Sequence, residues 1–332
     1  MDRPLAVVGG QLCTELRDVT SDLSALDSSG FWVVVLPFEG EAVCARFDRV
    51  RAAVPWPGPR WQGPPLRSWT TSLDRTGYCR GVRVIREAIL AGDVYQVNLC
   101  RVLSAPLPPG ADVAALGAAL ATGNPAPFSA VVRLPAQGIA IASASPERFL
   151  HRDGDMVESR PIKGTAATPN GFLAKDRAEN VMIVDLVRND LGRVCEWGSV
   201  EVPELCTVER HPGLYHLVST VRGRLRPGAG WADLIGATFP PGSVTGAPKL
   251  AALGFVAKLE PVARGPYCGA VGWVDADCRE GDLNVAIRTF WFAGGRLHLG
   301  TGGGITIDST PDGEWAETQL KARRLLSVVS PS

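Results

Sequence analysis

A chain of 332 residues, 45% hydrophobic and 20% charged, has a globular composition and room for one large domain or two ordinary ones. Its 34 basic and 34 acidic side chains cancel, which argues against a basic surface for nucleic acid or an anionic membrane. The longest apolar run, Phe31 to Phe38, is too short to cross a bilayer, and the amino terminus lacks the basic-then-apolar order of a signal peptide. Residues 1–65 read as a weakly patterned, strand-rich segment whose last part, 54–65, is a Pro/Gly-rich surface connection. Val82, Ile85, Ile89 and Leu90 recur at helical spacing over 75–92, ending at Gly92. A strand follows over 94–103, an Ala/Leu-rich helix over 111–123, and a hairpin leading into a third strand over 128–150. Residues 172–191 contain neither Pro nor Gly and predict one long helix closed by Gly192. A strand over 213–227, helices over 231–237 and 249–259, three strands over 268–275, 283–292 and 296–308, and a terminal helix over 312–328 complete the chain.

Helices and hairpins come in mixed order, without βαβ alternation. That predicts an α+β fold, a large mainly antiparallel sheet system with helices outside. No linker after residue 66 is long enough to mark a second independent domain, so residues 66–332 and the amino-terminal 65 are expected to form one intertwined unit. The eight cysteines contain no CxxC pair and the four histidines lack metal-ligand spacing. They predict reduced thiols in a cytosolic protein and no zinc site.

Several residues carry candidate chemistry. Lys163 lies in Ser159-Arg160-Pro161-Ile162-Lys163-Gly164-Thr165, between an expected strand and an expected helix. Pro161 fixes the backbone before it and Gly164 permits a tight turn after it. A lysine aimed that way into a dry cavity has a lowered pKa and can act as nucleophile or base. Gly302-Gly303-Gly304 sits between two strands rather than before a helix, so a dinucleotide fingerprint is excluded; the glycines would let backbone approach a ligand, or form a bulge. The run Pro241 to Lys249 lacks the order of a phosphate-binding loop but enters a helix and could present its amino terminus to a carboxylate. Arg288, on the strand face shared with Asn284 and Ala286, expects a carboxylate from the protein or from a substrate. Glu179, Asp185 and Asp190 on the long helix, and Glu314 and Glu317 on the terminal one, are candidates for Mg²⁺, although Glu317 and Lys321 also have the spacing of a surface ion pair. Glu147, after an apolar strand, suits a general acid with a raised pKa or a partner for Arg148. His216 alternates with apolar residues and fits a core position as well as an active one.

The same motifs, in this order, resemble those of the chorismate-utilising enzymes, and among them the large-subunit family of the aminodeoxychorismate synthases more than that of the anthranilate synthases. The segments are AGDVYQVNL (91–99), SPERF (145–149), SRPIKGT (159–165), DRAENVMIVDLVRNDLGR (176–193), HLVSTVRG (216–223), FPPGSVTGAPK (239–249), RGPYCGAVGW (264–273), NVAIRT (284–289) and GTGGGITIDSTPDGEWAET (300–318). The resemblance implies two large antiparallel sheets packed as a sandwich around the site. It implies that Glu179 and Glu317, assisted by Glu314, hold Mg²⁺ against the ring carboxylate of chorismate. Arg288, Tyr267 and the backbone of Gly302, Gly303 and Gly304 would hold the enolpyruvyl carboxylate; Thr165 closes the PIKGT motif beside the substrate, and His216 stands beside the ring. Gln96 stands where isochorismate-forming relatives carry a lysine that activates water, which argues against water as nucleophile. Glu147 would be the acid for the departing C4 hydroxyl. Lys163 falls where the C2-aminating branch carries alanine, and would attack C2 before ammonia attacks C4. The implied activity is a transferase of the transaminase class making 4-amino-4-deoxychorismate, a precursor of 4-aminobenzoate and folate. An ortho-aminating or isochorismate-forming relative, or an inactive chorismate-binding subunit, is the alternative. The first 65 residues look shortened and lack a clear tryptophan-binding segment. No glutamine amidotransferase module is expected in the chain, so ammonia would come from a separate subunit.

Overall fold

The computed structural model describes residues 3–330 except 167, 212 and 213, with backbone alone at 165, 211 and 214. In chain order the strands are β1 (Leu5–Val8), β2 (Gln11–Thr20), β3 (Phe31–Leu36), β4 (Val43–Ala52), β5 (Thr70–Thr71), β6 (Gln96–Pro106), β7 (Phe128–Leu134), β8 (Ile139–Ser145), β9 (Arg148–Asp153), β10 (Met156–Arg160), β11 (Ile162–Ala166), β12 (Glu201–His211), β13 (Leu214–Arg224), β14 (Gly246–Ala247), β15 (Ala270–Asp275), β16 (Glu280–Val285), β17 (Thr289–Ala293) and β18 (Arg296–Ile305). The α-helices are α1 (Arg75–Ala91), α2 (Val113–Gly123), α3 (Ala174–Gly192), α4 (Trp231–Thr238), α5 (Lys249–Leu259) and α6 (Pro311–Val329).

Every described strand pairing is antiparallel, and the fold is α+β as expected. The two expected sheets are linked edge to edge into one 18-stranded network. The network can be walked from β12 through β13, β10, β9, β16, β15, β3, β4, β2, β1, β7, β8, β17 and β18 to β6. The amino-terminal strands are interior to that walk, because β3 pairs with β15 and β1 with β7. The main apolar core gathers Trp32 to Leu36 of β3, Val271 and Val274 of β15, Leu150 of β9 and the inner face of α3 with Ile183, Val187 and Leu191. Burial of such side chains stabilises by about 1.5–3 kcal/mol each.

Helix boundaries follow local chemistry. Asp74 accepts from the Gly77 amide to start α1, and Gly92, at φ +84°, ends it. Thr310 accepts from Gly313, with Pro311 in the first turn of α6. Other boundaries depart from the expectation. The helix over 172–191 is closed by Arg193 in right-handed conformation, Gly192 being its last residue. The strand expected over 283–292 is two, β16 and β17, broken at Arg288, whose φ is +51°. Strand β12 had no counterpart in the sequence reading: Pro203 and two register shifts interrupt its alternation.

Candidate active site

Lys163 is not in a strand-to-helix loop. It is in β11, and the register with β13 slips between Lys163 and Thr165. Gly164 makes that bulge possible, at φ +75°, and a side chain there would run into Asp176 and Phe172. The bulge turns the Lys163 amine toward the segment after α4, where Nζ donates to the Ser243 carbonyl at 3.0 Å. Burial lowers the Lys163 pKa, against the Glu179, Glu147 and Glu317 carboxylates, which favour its charged form.

Glu147 occupies the tight connection between β8 and β9 and is only 4% exposed. Burial raises its pKa, although a hydrogen bond from Ser243 and the Lys163 charge both pull it down. Ser243 thus bears on both groups, its carbonyl accepting from the amine and its side chain lowering the pKa of the acid. The sequence reading had given this loop a different role, a helix amino terminus facing a carboxylate. Its structural function is to bring Ser243 to Lys163 and, through β14, to pair with Gln96 and Val97 of β6.

Gln96 is 0% exposed, and neither its amide oxygen nor its nitrogen finds a hydrogen-bond partner among the described residues. A buried amide left so is costly unless a ligand completes it. The glycine strand lies against it. A first side-chain carbon at Gly304 would sit 2.2 Å from Nε2 of Gln96 and 3.5 Å from Nζ of Lys163. One at Gly302 would meet the Leu99 carbonyl at 2.5 Å and Cys100 Sγ at 2.6 Å. At Gly303 it would sit 3.0 Å from Oε2 of Glu314 and 3.9 Å from Oε1 of Glu317. Successive residues of a strand face opposite ways, so backbone alone separates the amine and amide from the carboxylates of α6.

Glu314 is buried and accepts from Ser309 Oγ at 2.6 Å through Oε1, which leaves Oε2 toward Gly303. Burial raises its pKa, with Glu317 and Glu179 adding to the rise. Glu317 is exposed and pairs with Lys321 at 2.7 Å, which lowers its pKa. Lys321 also donates to the Gly302 carbonyl at 3.0 Å, spanning the carboxylate and the glycine strand. Glu179, on α3, is half-buried; burial raises its pKa while Lys163 lowers it. Of the other acids on that helix, Asp185 is exposed and bonds Arg188, and Asp190 is held by Lys249 at 2.6 Å. Neither joins Glu179, contrary to their grouping in the sequence reading.

Among the described residues no group of three His, Cys, Asp or Glu side chains stands ready around one metal position. Two carboxylate oxygens nevertheless converge on the space that a Gly303 side chain would fill. Mg²⁺ takes one or two carboxylates and completes its shell with water and ligand oxygens, so this donor set fits it.

The remaining candidates are spread around this centre. His216 is buried in β13, and its Nδ1 lies 3.4 Å from the Gly164 carbonyl, next to the bulge. Arg288 has no hydrogen bond from its guanidinium among the described residues; burial and Arg324 lower its pKa, and Glu147 raises it. Tyr267 lies under the glycine strand, its ring in the space of a Gly300 side chain and its hydroxyl 3.9 Å from Cys100 Sγ. The Thr165 side chain lies outside the described residues.

A family model described as chorismate binding enzyme matches residues 41–327. The chain is 40% identical to anthranilate synthase component 1 1 of Haloarcula marismortui over 300 residues, 85% of this chain and 60% of that protein. It is 42% identical to aminodeoxychorismate synthase component 1 of Escherichia coli over 270 residues, 78% of this chain and 58% of that protein. It therefore spans about three-fifths of the length of these curated relatives. Among solved structures, the menaquinone-specific isochorismate synthase of Escherichia coli superposes with a TM-score of 0.80 at 18% identity, covering 98% of this chain and 88% of the other, a likeness of fold. No helix among the described residues is long and apolar enough to cross a membrane.

Proposed function

The chain belongs to the chorismate binding enzyme family, and from that premise we propose that it aminates chorismate at C4, giving 4-amino-4-deoxychorismate. Relatives from two branches are about equally similar, so overall identity does not choose the product. The observation that carries the reading is Lys163: an amine with a lowered pKa, turned inward by a glycine bulge, beside a buried acid and an unpartnered amide.

The chemistry balances in two steps. The Lys163 amine forms a C–N bond at C2; both double bonds of the ring diene shift by one position toward C4 and the C4–O bond breaks, Glu147 giving its proton so that water leaves. Ammonia then forms a bond at C4, both double bonds shift back, and the C2–N bond to Lys163 breaks, returning the amine. Gln96 completes its hydrogen bonds on the substrate and, being an amide, offers no base for water. Arg288 and the glycine-strand backbone hold the enolpyruvyl carboxylate, and pyruvate is retained. Mg²⁺, held by Glu314 and Glu317 with Glu179 facing them, would neutralise the ring carboxylate. His216 packs beside the ring. Ammonia comes from a separate glutamine amidotransferase or from free ammonium.

Incubation with chorismate and Mg²⁺ in the absence of ammonia tests the covalent route. Peptide mass spectrometry is expected to find chorismate minus water on the Lys163 peptide. An unmodified Lys163 after that incubation would refute it, and would favour direct amination at C2, the reading that the anthranilate synthase relatives support.

A further inference from the structure

Glu260 and Arg264 lie outside the site, yet the backbone groups their side chains bond lead to it. Glu260 caps α5 and Arg264 follows four residues later; their side chains are 5% and 0% exposed. The guanidinium grips the carboxylate with two hydrogen bonds, Nε to Oε2 at 2.8 Å and Nη2 to Oε1 at 2.6 Å, and stacks on Phe38 at 4.4 Å. Among the described residues the two side chains make three further hydrogen bonds, all to backbone. Nη1 donates to the Val244 carbonyl at 2.8 Å, Nη2 to the Asn98 carbonyl at 2.7 Å, and Oε1 accepts from the Cys100 amide at 2.8 Å.

These three groups mark where two segments part. Strand β14 pairs with β6 at Gln96 and Val97, and Thr245 still accepts from the Asn98 amide. Beyond that point the loop turns away as a 3-10 turn over Gly242–Val244, to carry Ser243 to Lys163. The edge of β6 would then be left with the Asn98 carbonyl and the Cys100 amide unmet. The ion pair takes the place of the missing strand and also ties down Val244, the neighbour of Ser243.

We propose that Glu260 and Arg264 are positioning residues, a charged brace that sets the Ser243 carbonyl against Lys163 and Gln96 against Gly304. The inference rests on the site assignment above and touches no substrate. A buried pair of this kind adds little stability by comparison with apolar residues but fixes geometry, which is its use here.

The test uses the whole chain with Arg264→Lys, which keeps the charge but cannot span Glu260, Val244 and Asn98 at once. Lys163 reactivity is read by competitive labelling with acetic anhydride at pH 8 and peptide mass, alongside steady-state amination. The brace predicts a folded variant with Lys163 labelled at least about fivefold faster and kcat lowered at least about tenfold, the KM for chorismate changing less. Glu260→Gln, which preserves the acceptor for Cys100, is expected to move labelling at least about twofold. If Arg264→Lys does not fold, Glu260→Gln decides by the same reading. A folded variant that labels Lys163 at the wild-type rate would overturn the proposal, leaving the pair a packing feature. Failure of the wild type to aminate C4 would sink the proposed reaction while the labelling arm still decided the brace.

Discussion

The two faces of the glycine strand solve different problems. On one, Lys163, Gln96 and Glu147 come from strands or tight connections, Gln96 and Glu147 buried and Lys163 partly so, with the amine bound to a backbone carbonyl. On the other, Glu317 and Lys321 come from one turn of α6, both about half exposed, with Glu314 buried beside them. Strand-held groups are set in place before a substrate arrives. Helix-borne charges in water can exchange partners at small cost, since an exposed pair is worth about 0–1 kcal/mol. The first arrangement suits bond making, where position and protonation must be fixed. The second suits a cation that enters with its ligand.

The largest break in that comparison is Lys163→Met. Loss of the attacking amine should lower C4 amination by about a thousandfold or more with the melting temperature little changed, as measured by product formation and calorimetry. Glu147→Gln should cost about a hundredfold, within the usual range for general acid catalysis. It should also reshape the pH profile. The amine form of Lys163 is gained as pH rises, and its lowered pKa moves that limb below the ordinary lysine range; the acid form of Glu147 is lost as pH rises, and its raised pKa moves that limb above the ordinary glutamate range. The two shifts move toward each other and increase the fraction of correctly protonated enzyme near neutrality. The Gln variant should lose the falling limb of kcat/KM assigned to Glu147 while keeping the rising one. On the other face the effects are smaller. Lys321→Met should tighten Mg²⁺ binding by about fivefold in titration calorimetry, because the cation no longer competes with an ammonium on Glu317. Asp185→Asn should change neither turnover nor Mg²⁺ affinity beyond about twofold, as among the described residues that carboxylate meets only Arg188.

The same contrast governs what could be read in the sequence. Lys163 was recognisable as an aimed lysine because its cues, Pro161 and Gly164, are local. Its placement in a strand was not, because β11 owes its conformation to pairing with the distant β13. Arg288 was read as part of a regular strand since Leu283, Val285 and Ile287 alternate cleanly; its φ of +51° has no signal in an arginine. The spacing of Glu314, Glu317 and Lys321 on α6 was legible from helix geometry alone. Asp190 shares a helix with Glu179, but lies about 16 Å farther along it and turns to Lys249, a partner contributed by another helix. Ser243 and Arg264 fall within segments quoted from the sequence but had no role of their own there, and Glu260 was missed. Only the meeting of β6 with the loop before α5 gives those residues a role, and contacts of that range leave no local trace.

The central claim is that Lys163 makes this site a C4-aminating one. The most direct measurement is the product formed from chorismate, Mg²⁺ and ammonium by the purified chain, separated by chromatography and identified by mass, with an aminodeoxychorismate lyase added in a parallel reaction. The account predicts 4-amino-4-deoxychorismate, converted by the lyase to 4-aminobenzoate, and no product of either kind from Lys163→Met. Anthranilate or isochorismate from the wild-type chain would contradict it.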